Sequence, residues 1–99
     1  MTTKQLIGQN LKYIRYKTGL SQEEFYTSHN LSVKYLASVE RGEVNVTVDF
    51  LDRLAKKLKV NVSEFFVQDK KRIIKQKRID SKIALNQWRF LFFSLVFKL

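Results

Sequence analysis

Two polar helix starts lie eleven positions apart in the stretch LSQEEFYTSHNLSVKYLASVERG, residues 20–42. Ser21 is followed three residues later by Glu24. In that pairing the hydroxyl accepts from the glutamate's amide while the carboxylate reaches back to the serine's own amide. Ser32 then opens a second run. Caps this close leave room for one short helix, residues 22–28, and a tight turn over His29, Asn30 and Leu31. Asn30 suits such a turn because its short polar side chain tolerates positive φ. Any fold for this chain must therefore accommodate two short helices joined by only a few residues.

The rest of the chain also reads as helix. It has no proline, its glycines fall only at 8, 19 and 42, and apolar residues recur at helical spacing almost throughout. Helix one is expected over 4–17, with Ile7, Leu11 and Ile14 as its inner stripe. Gly19 is placed to end it in the left-handed conformation, with Leu20 packing back on it. Phe25 faces inward from helix two, and Leu36 and Val39 from helix three, which Gly42 ends. Thr47 caps a fourth helix with Asp49 in its first turn, where Leu51, Leu54, Ala55 and Leu58 form the cleanest amphipathic stripe in the chain. Asn61 caps a fifth helix carrying Phe65 and Phe66. The expected fold class is all-α: a compact five-helix bundle over residues 1–67, followed by a tail over 68–99.

With 44% apolar residues in 99, one small core is within reach. The lack of cysteine excludes disulfides, thiolate metal sites and cysteine catalysis. A single histidine, His29, cannot build a multi-histidine metal site and reads as a turn residue. There is no nucleophile–base pair, no phosphate-cradling glycine loop and no carboxylate pair suited to a cleft, and the serines are accounted for by helix caps. The pattern thus implies no enzyme, no cofactor, no metal and no small-molecule ligand. The start of the chain carries no basic segment followed by an apolar run, so a cytoplasmic location is expected.

The net charge of +10 points to a polyanionic partner, either nucleic acid or an anionic membrane. Its distribution is uneven. Residues 1–67 hold 10 Lys and Arg against 7 Asp and Glu, a net of +3, whereas residues 68–99 hold 9 against 2, a net of +7. Most of the excess is in the tail, so charge alone does not mark the bundle as nucleic-acid binding.

Two short helices with a tight polar turn match the helix-turn-helix arrangement. A helix entering the major groove N-terminus first needs short or polar side chains on its first turn and an apolar rear. Ser32, Val33, Lys34 and Ser38 supply such a surface, with Leu36 and Val39 behind it. The stretch from Ile7 to Phe66 resembles the phage-repressor helix-turn-helix family of the lambda-repressor and Cro type. It is also similar to the small controller proteins of restriction–modification systems. The residues that carry the resemblance are Arg15, Leu20-Ser21-Gln22-Glu23, Leu31, Glu40-Arg41-Gly42 and an amphipathic helix from Thr47 to Leu58. Each motif alone is weak, but their joint spacing over 60 of the 99 residues is specific.

The resemblance implies roles. Val33, Lys34 and Ser38, with Ser32 at the head of the helix, match base-reading positions. Gln22 matches a residue that binds a phosphate and braces the first base reader. Tyr35 matches a position that approaches the DNA backbone, and Arg41 a phosphate-binding position. Arg15 and Glu40 match a structural ion pair between helices one and three. Four residues depart from the family pattern, among them His29, which stands where an apolar residue is common. Tyr26 stands where a small residue is preferred, which implies a tilted recognition helix or a hydroxyl directed outward. Asn30 replaces the usual turn glycine, and Lys59 a frequent helix-ending glycine. Plainer readings stand beside these roles: Lys34 as an exposed helix lysine, Val33 as minor core packing, Gln22 as a favourable first helical residue, Arg15 and Glu40 as separate solvated charges.

Residues 70–99 lie outside the resemblance. Basic residues there alternate with Ile73, Ile74, Ile79 and Ile83, and residues 90–97 are apolar except for Ser94. That 8-residue run falls far short of the ~20 residues a membrane-spanning helix needs. The tail reads as a dimer contact or a cover for the core; an anionic-membrane contact and a disordered, aggregation-prone extension are the alternatives. The expected function is sequence-specific binding of double-stranded DNA by a homodimer on an inverted repeat, regulating transcription. The alternatives are an antitoxin that autoregulates its promoter beside a toxin partner, and a DNA-binding protein held at a membrane by its tail.

Overall fold

In the computed structural model, residues 1–69 and 72 are described. The chain divides into two units, Met1–Gln68 and Asp69–Leu99. The expectations for the tail, its dimer and membrane contacts included, fall outside the described residues.

The first unit is all-helical: α1 (Thr3–Tyr16), α2 (Gln22–Ser28), α3 (Val33–Glu40) and α4 (Val48–Leu58), then a 3-10 helix over Val62–Phe66. No strand occurs among the described residues. Each of the four α-helices starts at a side-chain cap. The hydroxyls of Ser21, Ser32 and Thr47 accept from the amides of Glu24, Tyr35 and Phe50 at 3.1, 3.3 and 3.0 Å. Each bond satisfies one of the donors that a helix start leaves without a partner. The return bond expected from the Glu24 carboxylate is not made; a full reciprocal box forms instead at Thr2 and Gln5, which begins α1 one residue earlier than its apolar stripe suggests.

The fifth expected helix is a 3-10 stretch of 5 residues. It ends where Asn10, buried on α1, places its Nδ2 2.9 Å from the Phe65 carbonyl and 3.0 Å from that of Val67. A side chain thus supplies the donor that further helix would have drawn from its own backbone, and Val67 turns extended.

The core joins Ile7, Leu11 and Ile14 of α1 to Phe25 and Tyr26 of α2, Leu36 and Val39 of α3, and Leu51, Leu54 and Ala55 of α4, with Phe65 closing it. Leu58 is only half-buried against this cluster, and Phe66 is 43% exposed. The approach of α1 to the end of α3 is set by Gly8: a Cβ there would lie 2.3 Å from the Val39 carbonyl oxygen and 2.7 Å from that of Glu40. That contact leaves no room for any side chain and brings the last turn of α3 directly against α1. Among the described residues, two non-glycine residues take positive φ, Asn30 at 56° in the turn between α2 and α3, and Lys59 at 57° after α4.

Candidate nucleic-acid interface

The turn from α2 to α3 is held by backbone bonds: the amides of Asn30 and Leu31 donate to the carbonyls of Thr27 and Tyr26 at 3.0 and 2.9 Å. His29 joins in, its Nδ1 2.8 Å from the Phe25 carbonyl, so the ring nitrogen carries the proton there. Asn30 can take the left-handed conformation that this tight connection demands without a glycine.

α3 presents one open side. Leu36 and Val39 on its rear are each 1% exposed. On its front, Lys34 and Ser32 are exposed, while Val33 is half-buried and packs against the core cluster, so only part of its surface is open. The Ser38 hydroxyl donates to the Tyr35 carbonyl at 2.6 Å; what it keeps for another partner is acceptor capacity. Tyr35 is half-buried and meets Phe50 of α4 edge to face, with ring centroids 5.2 Å apart. Arg41, at the C-terminal cap of α3, is exposed and paired with Glu43 at 2.9 Å.

Glu40 organises the unit behind this surface. Arg15 grips it with both sides of its guanidinium, Nε to Oε2 at 2.9 Å and Nη2 to Oε1 at 2.8 Å, while Nη1 donates to the Leu20 carbonyl at 3.1 Å. Gln22 Nε2 donates to Oε1 at 3.2 Å, and the Tyr26 hydroxyl donates to Oε2. One carboxylate therefore ties α1, α2 and α3 together, with side chains of Arg15 and Glu40 only 8% and 3% exposed. Burial alone would lower the Arg15 pKa, but the hydrogen bond and charge of Glu40 outweigh it and hold the guanidinium above its ordinary value. Burial first, then the charge of Glu40, push the Tyr26 hydroxyl well above the usual tyrosine range.

Tyr26 corrects the reading in which its hydroxyl points outward. It is 0% exposed, and its hydroxyl turns inward onto Glu40. The sequence signal was present, a large residue where the pattern prefers a small one, but only the position of Glu40 shows that the bulk carries a buried hydrogen bond. Asn10 and Gly8 were not singled out from sequence either. Each is defined by a partner at least thirty positions away.

The helix-turn-helix family matches residues 11–65, from the middle of α1 to the 3-10 segment. The chain belongs to the helix-turn-helix family. Its relatives agree. It is 41% identical over 61 residues, 62% of this chain and 79% of the other, to an uncharacterized HTH-type transcriptional regulator, y4dJ, of Sinorhizobium fredii. It is 35% identical over 68 residues, 69% of this chain and 81% of the other, to the control protein C.SmaI of Serratia marcescens. It is 38% identical over 60 residues, 60% of this chain and 81% of the other, to the control protein C.MunI of a Mycoplasma species. No solved structure matches significantly. This helix-turn-helix protein is a DNA-binding regulator of transcription. No described helix is long and apolar enough to cross a membrane.

Proposed function

We propose that this regulator reads a specific double-stranded sequence as a homodimer on an inverted repeat, in the cytoplasm and without catalysis, as a controller or repressor. The first turn of α3 enters the major groove. Lys34 donates to a guanine edge, the open part of Val33 meets a thymine methyl, and Ser32 and Ser38 complete the base-reading set. Gln22, Tyr35 and Arg41 bind phosphates and set the register. The Arg15–Glu40 pair holds α3 on α1 while this happens.

The observation that carries this reading is the two-sided character of α3, with Lys34 exposed at its start and Leu36 and Val39 sealed behind it. That arrangement suits a helix entering a groove N-terminus first, with its rear packed on the bundle.

Selection of bound fragments from a random duplex pool tests it. The recovered sites are expected to be inverted repeats with half-site centres about 34 Å apart, one helical turn. Lys34→Ala with Ser38→Ala should then lose discrimination among sequences more than overall affinity. Equal loss on every duplex overturns the base-reading assignment, and an unenriched pool overturns sequence-specific binding.

A further inference from the structure

A carboxylate offers about four lone-pair sites, and Glu40 fills all of them. Oε1 accepts from Arg15 Nη2 and Gln22 Nε2; Oε2 accepts from Arg15 Nε and the Tyr26 hydroxyl. Three of these donors are buried in the bundle. The fourth differs. Gln22 is half-buried at the first position of α2, where the backbone amide has no acceptor within the helix. Its side-chain amide carries two N–H groups. One is on Glu40, which leaves the other available to a ligand.

We infer that Tyr26 is a positioning residue for the phosphate contact made through Gln22: by holding Glu40 Oε2, it lets Oε1 hold the Gln22 carboxamide ready before DNA arrives. The inference rests on the DNA reading above and adds a residue that does not touch DNA. Without the hydroxyl, Oε2 keeps only Arg15 Nε, and the carboxylate loses the bond that opposes the pull of Arg15 and Gln22 on the other oxygen. The carboxamide then regains rotamers that must be frozen on binding, an ordering cost that preorganisation removes. A phenylalanine keeps the ring that fills the core between α2 and α3, so Tyr26→Phe removes the hydroxyl alone.

Tyr26→Phe, Gln22→Ala and the double variant are compared on the selected duplex, well below their melting temperatures. Tyr26→Phe should weaken binding about fivefold in the wild-type background and less than about twofold in Gln22→Ala, since the hydroxyl acts through that side chain. Equal losses in both backgrounds overturn the inference, because a merely structural tyrosine gives additive effects. The free protein supplies an independent readout. In NMR spectra of the wild type, the Gln22 carboxamide protons should have shifts displaced from, and solvent exchange slower than, those of solvent-exposed glutamines, and should move to the solvent-exposed values in Tyr26→Phe. Carboxamide signals already at solvent-exposed values in the wild type overturn the inference even if Tyr26→Phe does not fold. If the wild type binds no duplex, the DNA reading fails, and unchanged carboxamide signals in Tyr26→Phe would separately exclude the positioning role.

Discussion

Asn10 on α1 and Phe65, fifty-five positions further on, share a buried hydrogen bond of 2.9 Å, Nδ2 to carbonyl oxygen. The same Nδ2 lies 3.0 Å from the carbonyls of Leu6 and Val67, so its two N–H groups are shared among three backbone acceptors. Asn10→Ala removes the donor without filling its space. Leaving buried carbonyls unsatisfied costs about 1–3 kcal/mol each where no water reaches them, so urea unfolding should show a loss of about 2–3 kcal/mol overall. DNA affinity per folded molecule should hold, since none of these groups lies on α3. A loss below about 0.5 kcal/mol would mean that water replaces Asn10 freely.

The buried Tyr26 hydroxyl makes stability depend on alkaline pH. In the folded chain its pKa is raised, by burial and by the charge of Glu40; in the unfolded chain it titrates near its ordinary value of about 10. The unfolded state therefore releases this proton first. The contribution is fully present below about pH 10 and falls as pH rises above it, by up to about 1.4 kcal/mol per pH unit. The contributions of every other group are common to wild type and Tyr26→Phe. The difference in unfolding free energy between the two should be constant from pH 7 to 9 and shift in favour of Tyr26→Phe from pH 10 to 11. A difference that stays flat to pH 11 would place the hydroxyl in water.

What could be read from the sequence, and what could not, divides by the distance over which each residue acts. Ser21, Ser32 and Thr47 cap through an amide three positions on, so the chain itself states the helix starts. The alternation that buries Leu36 and Val39 is equally local. Gly8 carries no such local signal: its reason is the Val39 carbonyl, thirty-one positions away, and nothing in the periodicity of α1 points there. The end of the 3-10 segment was equally hidden, because Asn10 on α1 completes it. At the candidate interface, spacing places Gln22 and Glu40 on neighbouring helices, yet that Gln22 already spends one N–H on Glu40 follows only from the packing of α2 on α3.

Lys59 carries strain that one substitution relieves. It takes φ 57° after α4, while its amide and that of Val60 close the helix end on carbonyls of the last turn. A non-glycine residue in the left-handed region costs about 1–2 kcal/mol relative to glycine, less the extra freedom that glycine gives the unfolded chain. Lys59→Gly should therefore stabilise the fold by about 0.5–1 kcal/mol, visible as a higher urea midpoint with unchanged slope. Lys59 is exposed and outside the candidate interface, so the selected site should not change. A lower midpoint would show that the lysine side chain contributes more than its backbone costs.

Arg41 reaches the DNA reading with a competitor already attached. Its Nε lies 2.9 Å from Glu43 Oε1, with both side chains 57% exposed, so the pair adds little to stability and is readily exchanged. A phosphate arriving at Arg41 must displace Glu43, whose own charge repels the duplex. Glu43→Gln should consequently tighten binding to all duplexes by about threefold at low salt while leaving the melting temperature nearly unchanged. Arg41→Ala should weaken binding broadly and reduce the slope of log affinity against log salt by about one. The two should couple: in the Arg41→Ala background, Glu43→Gln loses the part of its gain that came from freeing the guanidinium and keeps only the long-range part. An Arg41→Ala protein with the wild-type salt slope would remove this arginine from the phosphate contacts and leave the Arg41–Glu43 pair as a surface feature only.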